Sequence, residues 1–217
     1  MAHIVLRRRI VAAARSINET GLNPGKAGNV SARVRGGFLI TPTGTPYARL
    51  RPESIVRVTM DGTVPGRQPR PSSEWRVHRD IYAARPEAGA IVHVHSPYAT
   101  ALACTRRPIP AFHYMVAVAG GDSIRCAPYA TFGTQALSDH ALRALAGRRA
   151  CLLANHGMLA FGEDLDGAMA LAIEVEFLAR QYALSLQIGR PVRLTRAEMR
   201  IVLEKFKSYG RQEHGKR

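Results

Sequence analysis

The segment Ile91-Val92-His93-Val94-His95 sets two imidazoles two residues apart in an apolar run. Successive strand residues point to opposite faces, so in a strand both histidines project on one side and the valines on the other. Two imidazoles side by side are what a metal ion needs, although H-x-H by itself also describes a pair of surface or internally hydrogen-bonded histidines. A site needs further ligands. His156 stands in the turn Asn155-His156-Gly157 between two apolar runs, and Glu74 opens a helical stretch after Ser72-Ser73. Three histidines and one carboxylate suit zinc, and a carboxylate ligand that can let go of the ion would also serve as a general base. His78, His113 and His140 have no such neighbours in sequence and are expected to be structural or at the surface.

Anion binding has its own ingredients, because backbone N–H groups in glycine-rich turns and hydroxyls at a helix start present donors. Gly28-Asn29, Thr43-Gly44 and Ser72-Ser73 each supply them. Turns carry Gly, Thr and Ser for backbone reasons too. What gives these weight is that Ser72-Ser73 adjoins Glu74, so a phosphate site and a metal site would be neighbours.

The elements that must position these residues follow from periodicity. Residues 3–20 form an amphipathic helix ended by Gly21, and the glycine-rich loop 23–29 leads into strands at 30–34 and 37–41. A strand at 55–60 ends at Asp61-Gly62, a hairpin cue. A helix runs from Ser72 or Ser73 as N-cap to residue 85. Then come a strand at 90–96, a helix at 97–104, less regular sequence to 131, a helix at 135–146, strands at 150–155 and 158–161, and helices at 164–187 and 196–207. Strands mixed with helices, without regular βαβ spacing, predict helices packed on a largely antiparallel or mixed sheet. Neither repeats nor linkers interrupt the chain, so residues 1–217 read as one domain.

Composition narrows the function classes. The 217 residues carry 31 Lys plus Arg against 16 Asp plus Glu, a net charge of +15, with 46% hydrophobic residues. All but Lys26, Lys205, Lys207 and Lys216 of these cations are arginines, scattered along the chain, and the 6% aromatics do not interleave with them as a nucleic-acid stacking platform requires. The field would instead attract small anions. No window holds the roughly 18 uninterrupted apolar residues of a membrane span, and residues 1–9 have no signal-like apolar core, so a cytoplasmic protein without membrane or nucleic-acid partners is expected. Cys104, Cys126 and Cys151 fit neither a disulfide framework nor a CxxC pair and are expected to be buried thiols.

A resemblance joins the pieces. The series G-K-A-G-N-V-S-A-R at 25–33, L-I-T-P-T-G at 39–44, P-S-S-E-W at 71–75, H-V-H at 93–95, A-P-Y-A-T-F-G-T at 127–134, N-H-G at 155–157 and L-E-K-F-K-S-Y-G at 203–210 resembles, in order and spacing, the class II aldolase and adducin head family on its L-fuculose-phosphate aldolase branch. The resemblance implies a three-layer α/β/α domain with a central, largely antiparallel sheet. It also implies a homotetramer with sites at subunit boundaries, and a zinc-dependent aldolase with one Zn2+ per chain. Such an enzyme reversibly splits a ketose 1-phosphate such as L-fuculose 1-phosphate into dihydroxyacetone phosphate and a short aldehyde, L-lactaldehyde, through a zinc-stabilised enediolate.

Carried over motif by motif, the resemblance makes Glu74, His93, His95 and His156 the metal ligands and Glu74 also the base. Gly28, Asn29, Thr43, Gly44, Ser72 and Ser73 become the phosphate site. Tyr114, Phe132 and Tyr209 become the residues closing over the aldehyde, with Tyr114 or Tyr209 polarising its oxygen. With four lysines, three of them near the C-terminus, a Schiff-base route has few candidates. Lys26 departs from the small hydroxylic residue the family often has there. The family also holds 4-epimerases, dehydratases and non-catalytic adducin heads. Retention of all three histidines argues against the last, and Glu74, where the epimerases usually carry Asp, favours the aldolase.

Overall fold

The computed structural model describes residues 2–207. Seven strands form one sheet: β1 (Asn29–Val34), β2 (Gly37–Ile40), β3 (Val56–Thr59), β4 (Ala90–Val94), β5 (Arg125–Ala127), β6 (Ala150–Leu153) and β7 (Gly157–Gly162), in the order β3-β2-β1-β4-β7-β6-β5. Every pairing is antiparallel except β5 with β6. The helices are α1 (Ile4–Glu19), α2 (Trp75–Ala84), α3 (Pro97–Cys104), α4 (Gln135–Ala144), α5 (Leu165–Ile188) and α6 (Arg196–Phe206).

Strand alternation divides the core in two. Val30, Ala32, Val92, Val94, Met158 and Ala160 face α1, α3 and α5, whereas Phe38, Ile40, Ile91, Leu159 and Phe161 face α2 and α4. This is the expected α/β/α layering, and it explains why the central strands read as continuous apolar runs: both faces are buried. His93 has the parity of Ile91 and therefore lies on the α2 face, toward Glu74.

Four local expectations are corrected. Asp61-Gly62 turns the chain, with Thr59 N–H donating to the Thr63 carbonyl, but no partner strand returns, since Pro65, Pro69 and Pro71 cannot sustain a ladder. The N-cap of α2 is Glu74, not a serine, and its side chain makes no cap because it turns toward the histidines. β5 escapes the sequence reading because three residues carry no periodicity. Of the cysteines only Cys151 is fully buried, Cys126 is partly so and Cys104 is exposed.

Many arginines act as backbone clamps. Arg33 donates to the carbonyls of Ala88, Tyr82 and Arg85, Arg85 to those of Leu145 and Arg148, and Arg15 to that of Leu50. Five fixed N–H donors let one guanidinium satisfy several loop carbonyls, which gives part of the arginine excess an internal role. Among the described residues no helix is long and apolar enough to cross a membrane.

Candidate active site

Three elements bring the histidines together. His93 is the fourth residue of β4, and His95 lies just past the strand end, where its N–H donates to Asn23 Oδ1 at 2.9 Å instead of to a ladder partner. The Asn23 amide also donates to the Ala27 carbonyl, so the glycine-rich loop is tied to His95. His156 follows Asn155, whose φ of 54° makes the left-handed corner between β6 and β7. Arg106 and the Ala103 carbonyl hold that corner from the end of α3. Glu176 of α5 accepts from Ser96 Oγ and from the N–H groups of Tyr98 and Ala99, which fixes the chain immediately after His95.

Two glycines permit the closeness. A Cβ at Gly28, where φ is +77°, would fall 2.5 Å from the His93 carbonyl oxygen, and one at Gly157 would fall 2.5 Å from the Val94 carbonyl oxygen and 2.8 Å from His95 Cδ2.

The three imidazoles form a propeller. Their ring centroids are 4.9, 4.8 and 4.8 Å apart, with interplanar angles of 71°, 73° and 74°, and one nitrogen from each lies within 4.8 Å of the others. His93 Nε2 is 3.1 Å from His95 Nε2 and 3.1 Å from Glu74 Oε2, while His156 Nε2 is 3.2 Å from Glu74 Oε1. Ligands about 2.0–2.1 Å from a tetrahedral ion are about 3.3 Å from one another, so contacts of 3.1–3.2 Å among the histidines and the Glu74 carboxylate suit a small divalent cation held between them. His93 Nδ1 donates to the Met158 carbonyl at 2.8 Å, which turns Nε2 toward the cluster. Glu74 Oε1 is buried and accepts no hydrogen bond, an open position facing the same point.

Electrostatics agree with this fit. Burial would push the Glu74 carboxyl up, but His93, then His156 and His78, hold it well below the usual carboxylate range. Burial and the neighbouring His93 push both His95 and His156 down to about 4, so their lone pairs are free at neutral pH. Burial would lower His93 too, yet the facing Glu74 carboxylate raises it above an ordinary imidazole.

Beside the propeller opens a cavity of about 320 Å³. Gly28, Asn29, Thr43, Gly44, Ser72, Ser73, Glu74, His95, His156 and Phe132 all line it, and His93 lies behind, 1% exposed. Ser72 N–H donates to the Thr41 carbonyl and Thr43 N–H to that of Arg70, which lays the two donor-bearing segments side by side. Lys26 and Tyr129 also line the cavity. Tyr114 does not: it is 49% exposed, its ring against His113. Tyr209 lies outside the described residues. Asn23, His78, Glu176 and Met158 were invisible as site residues in the sequence, because each acts through a partner tens of residues away.

The profile of the Class II Aldolase and Adducin N-terminal domain family matches residues 8–183. The chain belongs to this family. A Rhodospirillum rubrum protein named 5-methylthioribulose-1-phosphate/5-deoxyribulose-1-phosphate aldolase is 56% identical over 96% of this chain and 94% of its own length. L-fuculose phosphate aldolase of Escherichia coli K12 is 49% identical over 94% of this chain and 95% of its own. The solved structure of an L-fuculose 1-phosphate aldolase superposes with a TM-score of 0.92 at 42% identity, covering 95% of this chain and 98% of that one. The protein is a class II aldolase, a lyase of carbon–carbon bonds.

Proposed function

We propose that this aldolase holds Zn2+ on His93, His95 and His156 with Glu74, and reversibly cleaves a ketose 1-phosphate into dihydroxyacetone phosphate and a short aldehyde. The observation that carries this reading is the buried Glu74 Oε1, which accepts no hydrogen bond and faces His156 Nε2 at 3.2 Å, at the junction of the histidine propeller and the donor-lined cavity. The bound cation would supply Lewis acidity, polarising the ketone oxygen of the substrate. Gly28, Asn29, Thr43, Gly44, Ser72 and Ser73 would bind the phosphate and so orient C3 toward the carboxylate. In synthesis, Glu74 takes a proton from C3, and the electron pair left there forms the bond to the aldehyde carbon. As that bond forms, the aldehyde oxygen takes up a proton from solvent. In cleavage the C4 hydroxyl gives that proton back, the C3–C4 bond breaks with its pair staying on C3, and Glu74 returns its own proton to C3. Phe132 would shield the reacting carbons from water.

The reading of a homotetramer with sites at subunit boundaries is supported by the exposure of Tyr114 outside its own chain's cavity and by the exposed Ile173, Phe177, Leu184 and Ile188 along one face of α5. Tyr114 or Tyr209 would then polarise the aldehyde oxygen.

Two substrates compete. L-fuculose 1-phosphate would release L-lactaldehyde. The relative at 56% identity favours a five-carbon 5-deoxy or 5-methylthio ketose 1-phosphate, whose C3–C4 cleavage releases acetaldehyde or methylthioacetaldehyde by carbon count. Condensing dihydroxyacetone phosphate with each aldehyde and comparing kcat/KM tests the pair. A preference for methylthioacetaldehyde or acetaldehyde selects the five-carbon reading, a preference for L-lactaldehyde selects the six-carbon one, and no product from any aldehyde defeats both.

A further inference from the structure

We propose that His78 is a positioning residue for the Glu74 proton transfer: as the neutral Nε2–H tautomer it locks the Asn29 amide with its NH2 toward Glu74, which pins Oε2 and leaves Oε1 as the oxygen that takes and returns the proton. The proposal rests on the aldol reading above for its chemistry and on hydrogen bonding for its geometry.

His78 stands one turn after Glu74 on α2, fully buried against the sheet. Asn29 and Ser31 alternate along β1 and so present both side chains to this helix. Asn29 Nδ2 lies 3.0 Å from Glu74 Oε2. The opposite amide orientation would set a carbonyl oxygen against a buried carboxylate, so the NH2 must face Glu74 and Oδ1 must face His78 Nε2, 2.5 Å away. An amide oxygen only accepts, which makes His78 Nε2 the protonated nitrogen. His78 Nδ1 then carries the lone pair and accepts from Ser31 Oγ at 2.7 Å, and Ser31 Oγ in turn accepts from the Tyr82 hydroxyl at 2.7 Å.

The donors therefore run one way, from Tyr82 through Ser31, His78 and Asn29 to Glu74. Burial pushes the Tyr82 phenol up, keeping its proton, and burial with the nearby His93 pushes His78 down to about 3, keeping it neutral. All five side chains are buried, and Tyr82, Ser31 and His78 lie away from the cavity that Asn29 and Glu74 line, so bulk water cannot replace a missing link at the His78 end. Turning the imidazole or the amide breaks two bonds at once. With Oε2 held by Asn29, the carboxylate cannot rotate, and Oε1 keeps its open position.

Long-range ¹H–¹⁵N spectra of the full chain with ¹⁵N-labelled histidine, assigned by His78→Gln, should show His78 as the Nε2–H tautomer from pH 8 to pH 5. His78→Leu should slow solvent exchange of the C3 proton of dihydroxyacetone phosphate, and kcat, by about 10–100-fold with KM and metal content unchanged. His78→Gln restores an N–H near the Nε2 position and should recover most of that loss, whereas a packing role would make the polar Gln no better than Leu. An Nδ1–H tautomer or a protonated His78 at pH 7, or exchange by His78→Leu within twofold of the unsubstituted enzyme, would overturn the proposal. Absence of exchange in the unsubstituted enzyme would count against the aldol reading alone, and the tautomer would still decide this one, its signals being assigned by NOEs to Ser31, whose Oγ lies 2.7 Å from His78 Nδ1, where neither variant folds.

Discussion

Replacing Gly157 with alanine asks whether the histidine propeller depends on how closely β7 approaches β4. The added Cβ would lie 2.5 Å from the Val94 carbonyl oxygen and 2.8 Å from His95 Cδ2. Ordinary contact begins near about 3.5 Å, so a neighbour must retreat by about 1 Å. Val94 is paired with Met158 in the ladder, and the ring of His95, beyond the strand end, is the softer of the two. Ligand distances at a metal tolerate only about 0.2 Å. Displacing one imidazole of three should therefore weaken zinc binding about 10–100-fold, the usual penalty for disturbing a ligand's support. Overpacking should also cost about 1–3 kcal/mol, lowering Tm by roughly 2–12 °C at this chain length. Gly189→Ala is the control, because its Cβ meets nothing within 4 Å and its φ of 172° is open to any residue. Competition with a chelator gives the zinc Kd, and a thermal melt gives Tm. A Gly157→Ala protein with Kd within twofold of the parent and an unchanged Tm would refute the reasoning.

Three other outcomes are expected. His93→Ala should lose both metal and activity, since two imidazoles rarely retain zinc, and full occupancy by elemental analysis would remove His93 as a ligand. Among the described residues Lys26 is the one lysine or arginine lining the cavity, so Lys26→Met should raise KM for dihydroxyacetone phosphate about tenfold at low salt and less at high salt, with kcat nearly kept; an unchanged, salt-independent KM would assign Lys26 to the solvent. Because His78 titrates near 3 in the fold and near 6.5 unfolded, unfolding takes up a proton below pH 6.5, so the stability it represents is present above 6.5 and is lost as pH falls toward 3. Below pH 6.5 the metal-stripped protein should lose about 1.4 kcal/mol per pH unit through this group, with His95 and His156 adding in the same direction while the raised His93 opposes them only above 6.5, and a Tm flat from pH 6.5 to pH 4.5 would contradict it.

Much of this was legible in the sequence. His93, His95 and His156 could be grouped because strand parity and a tight turn are local signals, and Ser72-Ser73-Glu74 because its three residues are adjacent. The support was not legible. Asn23 reaches His95 across 72 residues, His78 reaches Asn29 across 49, and Glu176 caps α3 from a helix 77–80 residues away. Such bonds depend on the packed sheet, and no spacing rule announces them. His78 looked structural because its neighbours in sequence are Val77 and Arg79, while its partners in space lie on β1 and, through Tyr82, one turn further along its own helix. Tyr114 belongs to a different case: its motif carried it into the site, and the single chain leaves it outside the cavity.

Exchange of the C3 proton of dihydroxyacetone phosphate with deuterated solvent, followed by NMR with no aldehyde present, tests the central claim most directly, because it isolates the step assigned to Glu74. The zinc-loaded enzyme should exchange one C3 proton, the chelated enzyme should not, restored zinc should return the rate, and Glu74→Gln should stay at least about 100-fold slower with its metal in place. Exchange that persists at full rate in the chelated enzyme or in Glu74→Gln would contradict the account.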